Sequence, residues 1–194
     1  MKISQGPKTL LYPTPVYVVG TYDAAGRPNA AVAAWGGLCC SRPPSLQVSF
    51  RAATYTHANI TRTGAFTVSI PSERYATEVD YMGLVSGRDV DKFAVTGLTP
   101  VRATHVDAPY VGEFPLVLEC RLTHRVEVGW PTLFVGEILD LLAEESALDE
   151  RGKVTVRKVS PLVFAPGDSA YYGIGPYIAA AFSAGKALIK ESES

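Results

Sequence analysis

Short apolar runs separated by glycine and proline set the rhythm of this chain, and several of them alternate with a period of two. Ser45-Leu-Gln-Val-Ser-Phe-Arg51 is the clearest: Leu46, Val48 and Phe50 fall on one face, Gln47 and Ser49 on the other, the pattern of a half-buried strand. Pro15 to Tyr22 is β-branched and aromatic and predicts a strand. The turn-forming Asp23-Ala-Ala-Gly-Arg-Pro-Asn29 follows, and Ala30 to Trp35 returns as the second arm of a hairpin. Phe66 to Ile70 is a further strand. Leu116 to Val128 and Leu133 to Leu142 form a long β region joined through Gly129-Trp-Pro131. Within it Glu119, Arg121 and Thr123 alternate with Leu118, Cys120 and Leu122, which predicts antiparallel pairing with one wet face. Leu162 to Phe164 adds a short late strand.

Helical signals are fewer. Ala52 to Arg62 predicts a helix with Thr54 or Thr56 as N-cap and Gly64 as its stop. Ser72 caps a second, running to about Val85 with Glu73 in its first turn. Ser86 to Lys92 reads as a polar loop, and Tyr177 to Ile189 as a C-terminal helix. Strands in meander order with few helices predict a mainly β fold, a closed or nearly closed antiparallel barrel rather than a parallel βαβ sheet. One domain over residues 1–194, with a helical tail from about residue 170, is the expected organisation.

Composition narrows the function. At 194 residues the chain can bury a core without disulfides or metal, and 47% hydrophobic with 19% charged residues excludes intrinsic disorder. Eighteen Lys and Arg against nineteen Asp and Glu give a net charge of −1, which argues against a nucleic-acid binder. The longest apolar stretch, Ala30 to Cys40, falls short of the roughly 20 residues a membrane helix needs. The N-terminal MKISQGPK lacks the apolar core of a signal peptide, so a cytoplasmic protein is expected. Three cysteines, two of them adjacent (Cys39 and Cys40), make no disulfide framework and read as packing residues. His57, His105 and His124 show no metal-ligand spacing, so no metal is expected. Gly173-Ile-Gly175 opens like a dinucleotide fingerprint, but Pro176 and Ile178 break it.

Three segments carry candidate chemistry. Asn29, Ala30, Ala31, Val32, Ala33, Ala34 and Trp35, with Gly36 and Gly37, form a run of small residues in a barrel wall. Such a wall admits a flat ligand to the backbone, or serves tight packing; Trp35 suits an aromatic ligand or the core. Arg51 to Asn59 leads from a strand end into a helix start. Free backbone donors, Thr54, Thr56 and Arg51 there suit a phosphate, or an ordinary capped helix. Ser86-Gly-Arg-Asp-Val-Asp-Lys-Phe93 is either a charged working loop or a solvated one.

Taken in order, these segments resemble the flavin reductase-like proteins with an FMN-binding split barrel, and within them the flavoredoxin group. The matching stretches are the small-residue return through Trp35, the Cys40-Ser-Arg-Pro-Pro44 turn, and Arg51 with Thr54, Thr56 and Asn59. Ser86-Gly with Asp91-Lys-Phe93, Gly97-Leu-Thr99, and the Tyr171, Tyr172, Gly173, Tyr177 pattern complete the set. The resemblance implies a six-stranded antiparallel Greek-key barrel, a homodimer and one FMN per subunit near the dimer interface. It implies that residues 29–35 line the isoalloxazine and ribityl chain, and that Arg51, Thr54, Thr56 and Asn59 receive the phosphate. Lys92 would bring a second positive charge, and Tyr171 and Tyr172 would close the site. The alanines at 30, 31, 33 and 34 stand where the family often has a hydroxyl residue, which shifts the bonding there to the backbone. The expected activity is an NAD(P)H-dependent flavin reductase or a flavoredoxin-like electron carrier, with no catalytic side chain required, because the flavin carries the chemistry. A non-catalytic FMN-binding module and a pyridoxamine-phosphate-oxidase-type enzyme are the alternatives.

Overall fold

The computed structural model describes residues 1–190. In chain order the elements begin with β1 (Thr14–Pro15), β2 (Tyr17–Tyr22), β3 (Pro28–Ala33), β4 (Gly36–Ser41), β5 (Pro44–Arg51), α1 (Tyr55–Thr63) and β6 (Ala65–Ile70). A 3-10 turn (Glu73–Tyr75) leads into α2 (Ala76–Leu84), followed by α3 (Lys92–Thr96) and the short pair β7 (Pro100–Arg102) and β8 (Pro109–Val111). The long arms β9 (Leu116–Glu127) and β10 (Pro131–Ala143) come next. They are followed by a second 3-10 turn (Glu145–Ala147), α4 (Val156–Val159), β11 (Val163–Ala165), β12 (Ala170–Tyr172) and α5 (Lys186–Lys190).

The main sheet runs β3-β2-β6-β9-β10-β5-β4, and every neighbouring pair is antiparallel. Its two edge strands, β3 and β4, are separated in the chain only by Ala34 and Trp35, so two residues carry the backbone from one edge to the other. The Trp35 carbonyl accepts from Ser49 N–H of β5 at 3.0 Å across that junction. The sheet is therefore closed into a barrel. The expected six strands become seven in the order because residues 28–41 form one bent segment that serves both edges.

Period-two patterning accounts for the interior. Leu46, Val48 and Phe50 of β5 meet Val19, Phe66, Val68, Cys120 and Phe134 inside the barrel. Val18, next to Val19, points outward but is equally buried, because α2 and α3 cover that face with Val79, Met82 and Phe93. α1 starts and stops as its sequence predicts: the Thr54 side chain accepts from His57 N–H, and Gly64 closes the helix at φ 65°. A left-handed residue is what this cap requires, and glycine adopts it without Cβ strain.

The structure adds elements to those expected and corrects one of them. The Gly36–Ser41 stretch is a strand, and the 100–111 region holds a small hairpin. The charged loop gives way to α3 at Lys92, capped by the Asp91 carboxylate. Most plainly, Tyr177–Ile189 is not one helix: 173–180 has no regular structure, 181–185 forms turns, and only α5 is helical. Phe182 adopts φ 59°, which breaks a helix, and Ile178 and Phe182 are 87% and 99% exposed. A helix of five residues is marginal in water on its own. The expected tail from residue 170 thus begins as β12, and its last residues, 191–194, lie outside the described ones.

Candidate functional site

The barrel end that carries the 51–54 turn gathers most of the polar chemistry. β5 ends at Arg51, and Thr54 N–H and Oγ1 both donate to the Arg51 carbonyl, at 2.9 Å each. That turn delivers the chain into α1 with the N–H groups of Tyr55 and Thr56 unpaired, since His57 N–H is satisfied by the Thr54 cap. Two unpaired amides at a helix start favour an anion.

Two arginines flank the turn. The Arg51 guanidinium lies over the Trp130 ring at 5.1 Å. Arg88 donates Nη1 to the Ala53 carbonyl at 2.9 Å and stacks over Tyr55 at 5.3 Å. Arg88 therefore joins this site, whereas the family resemblance implied Lys92 from the same loop. Its signal was the charge run Arg88–Lys92; which of those charges folds back over α1 is decided by the loop's path, which periodicity does not show.

Beneath the turn lies a buried polar cluster. Asn29 Nδ2 donates to Thr56 Oγ1 at 3.0 Å and to Thr21 Oγ1 at 3.3 Å, and Asn59 Nδ2 donates to Thr21 Oγ1 at 3.1 Å. Asn29 is only 4% exposed, yet its buried Oδ1 has no hydrogen-bond partner. Burying an acceptor unpaired costs about 1–3 kcal/mol. Gly87 lies directly over that oxygen: a Cβ at 87 would come within 2.0 Å of it, so the close approach of this loop requires glycine.

The neighbouring Asp23 locks the frame. It accepts from Ala25 N–H, Arg27 N–H, Arg27 Nε and Tyr55 Oη at 2.7–2.8 Å. Burial alone would raise its carboxyl, but these hydrogen bonds hold it down at about 2.

The small-residue run does two jobs at once. Ala33 and Ala31 pack toward the barrel interior, and Ala30 and Val32 pack under α2 and α3. Ala30 and Ala33 are buried, Ala31, Val32 and Ala34 are partly so, and Trp35 is 50% exposed. The Ala30 carbonyl is taken: Lys92 Nζ donates to it at 2.8 Å and to the Met82 carbonyl at 2.7 Å. Lys92 thus stands behind β3, a buried ammonium with a third proton to give, and burial draws it down to about 8. Tyr171 and Tyr172 belong elsewhere. Tyr171 Oη donates to Asp80 on α2 at 3.1 Å and its ring packs on Phe164, while Tyr172 Oη donates to Asp168 at 3.2 Å. The fold ties neither to the 51–54 turn. Cys39 and Cys40, expected as packing residues, are exposed on β4. Among the described residues there is no cluster of acids, histidines and cysteines set to hold a metal, and no helix long and apolar enough to cross a membrane.

Comparison with known proteins agrees with this architecture. Flavoredoxin of Desulfovibrio vulgaris (Miyazaki F) is 54% identical, with a TM-score of 0.92 over 95% of this chain and 100% of its own. A flavoredoxin from Methanosarcina acetivorans is 33% identical, with a TM-score of 0.87 over 97% of this chain and 98% of its own. An FMN-binding protein from Thermus thermophilus is 26% identical, with a TM-score of 0.78 over 93% of this chain and 98% of its own. The family model described as the flavin reductase like domain matches residues 9–173. With that match, and with a closed β barrel of the split-barrel type beneath it, the chain belongs to the flavin reductase-like family.

Proposed function

We propose that this protein binds FMN at the 51–54 turn and works as an FMN-dependent oxidoreductase, an NAD(P)H-dependent flavin reductase or a flavoredoxin-like electron carrier. The observation that carries the reading is the gathering of anion-binding groups in one place. The turn and α1 offer unpaired donors, Tyr55 N–H and Thr56 N–H, with Arg51 and Arg88 beside them. A phosphate takes donors and gives none, and the phosphate of FMN brings nearly two negative charges to the arginines.

Bound FMN supplies the hydride and electron chemistry. The chain's own residues bind and orient. Arg51, Arg88 and the α1 amides hold the phosphate end, and Asn29 braces Thr56 beneath them. Trp35 and the half-buried Ala31 and Ala34 border the ring, and Lys92 keeps a positive charge behind β3. The names carried by the solved relatives, flavoredoxin and FMN-binding protein, support the cofactor.

The test is direct. The purified protein is expected to be yellow, or to become so with FMN, and to bleach under anaerobic NADH or NADPH if it is a reductase. Bleaching only by a reduced protein donor marks a carrier; a protein that stays colourless with excess FMN, with an unshifted thermal midpoint, refutes the reading. We also propose a homodimer, supported by exposed Trp35, Leu38 and Trp130 and by the apolar tail residues Ile178 and Phe182. Sedimentation as a single 20.8 kDa species at all concentrations would refute it.

A further inference from the structure

We infer that His57, Thr132 and Glu127 form a positioning chain that sets the 51–54 turn for phosphate, a role that rests on the function proposed above. The evidence is a line of hydrogen bonds running from the first turn of α1 to the tip of the β9–β10 hairpin. His57 Nε2 is 2.9 Å from Thr132 Oγ1, and Thr132 Oγ1 donates to Glu127 Oε2 at 2.9 Å. Arg125 donates Nε and Nη2 to the other carboxylate oxygen, Oε1, at 3.0 and 2.8 Å.

Proton counting fixes the direction of the chain. The single hydroxyl proton of Thr132 is spent on Glu127, so its oxygen must accept from His57, and His57 carries its ring proton on Nε2. Thr132 and His57 are 1% and 8% exposed, and the imidazole meets the edge of Phe134 at 5.0 Å. The ring therefore has one well-defined seat. Its own backbone N–H is held by Thr54, the N-cap. His57 is thus gripped from both sides: its backbone belongs to the cap that leaves Tyr55 and Thr56 N–H free, and its side chain belongs to the barrel wall.

Backbone amides cannot adjust to the ligand as the Arg51 and Arg88 side chains can, so the placement of the turn decides what the amides contribute. The β10–β5 ladder reinforces this, with Thr132 opposite Phe50 and Pro131 opposite Arg51. The chain joins the same ladder rungs to α1, 75 residues away in sequence. It touches no part of the ligand.

Thr132→Val keeps the shape and removes both hydrogen bonds. FMN affinity is expected to fall three- to tenfold while riboflavin affinity stays within twofold, so the FMN-to-riboflavin affinity ratio drops. Thr132→Ser is expected to restore the ratio. Glu127→Gln, at an exposed position that does not threaten folding, is expected to lower it by a smaller factor. In nitrogen-15 spectra of the flavin-free protein, His57 is expected to be protonated on Nε2 and to lose that bias in Thr132→Val. An unchanged ratio in both variants, an equal loss for both flavins, or a His57 ring protonated on Nδ1 overturns the chain and leaves the proposed function standing. A wild-type protein that binds neither flavin overturns both.

Discussion

Arg51→Ala should weaken FMN binding ten- to a hundredfold and leave riboflavin binding within twofold. A charge-assisted hydrogen bond contributes roughly 1.5–3 kcal/mol, and each factor of ten in affinity corresponds to about 1.4 kcal/mol. Riboflavin has the same ring and ribityl chain without the phosphate, so it reports everything except the contact in question. The stacking of Arg51 on Trp130 makes the control necessary. If losing that packing disturbed the hairpin tip, both flavins would weaken together. Arg51→Lys keeps a charge but not the planar fork, and should fall between wild type and Arg51→Ala. Arg88→Ala is the companion measurement, because Arg88 approaches the same turn through the Ala53 carbonyl. Equal FMN affinity in wild type and Arg51→Ala would move the phosphate contact to Arg88.

Lys92→Met should destabilise the protein by about 2–4 kcal/mol at neutral pH, measured by urea unfolding. Methionine fills nearly the same space but leaves the Ala30 and Met82 carbonyls without their donor, and each buried unpaired acceptor costs roughly 1–3 kcal/mol. Part of that loss is offset, since a buried ammonium no longer has to be desolvated. The pH dependence separates the two effects. Burial holds the folded-state lysine at about 8 against an ordinary value of 10.5. The unfolded chain therefore binds the extra proton between those values, and wild-type stability should rise as pH climbs from about 8 toward 10.5. The neutral amine keeps two protons, enough for both carbonyls. The variant lacks this rise, so its deficit should widen at pH 9.5. A variant as stable as wild type at pH 7 and pH 9.5 would show that Lys92 does not clamp β3 to α2.

Which of these features were legible in the sequence follows from how local each one is. Alternation placed Leu46, Val48 and Phe50 correctly inside the barrel, and the caps Thr54 and Gly64 bounded α1, because strand faces and helix ends are decided within a few residues. β4 escaped notice because Gly36 to Ser41 has no buried face to create a pattern; its last four residues are exposed. The tail erred the other way, its apolar spacing being helical while Ile178 and Phe182 stand exposed. At the site, the structure brings Arg51, Thr54, Thr56, Asn29 and Asn59 to one end of the barrel. Lys92 was singled out for its charge, yet its burial behind β3 had no sequence signal, since lysine is among the residues least often buried. The parts that stayed hidden are long-range: Arg88 reaching Ala53, Gly87 lying on Asn29, and His57 meeting Thr132. Each pairs residues from segments whose approach only the closed barrel creates.

The two-residue passage from β3 to β4 has a consequence for how the barrel and its cofactor depend on each other. Ala34 and Trp35 are at once the seam where the cylinder is sewn shut and the margin of the proposed ring site. Opening the seam would free the Ser49–Trp35 hydrogen bond, unroll the sheet and dismantle one wall of the pocket in a single motion. A ligand resting on that margin therefore works as a rivet. Every increment of its binding free energy also opposes unrolling, so cofactor loading and resistance to unfolding are two readings of one equilibrium.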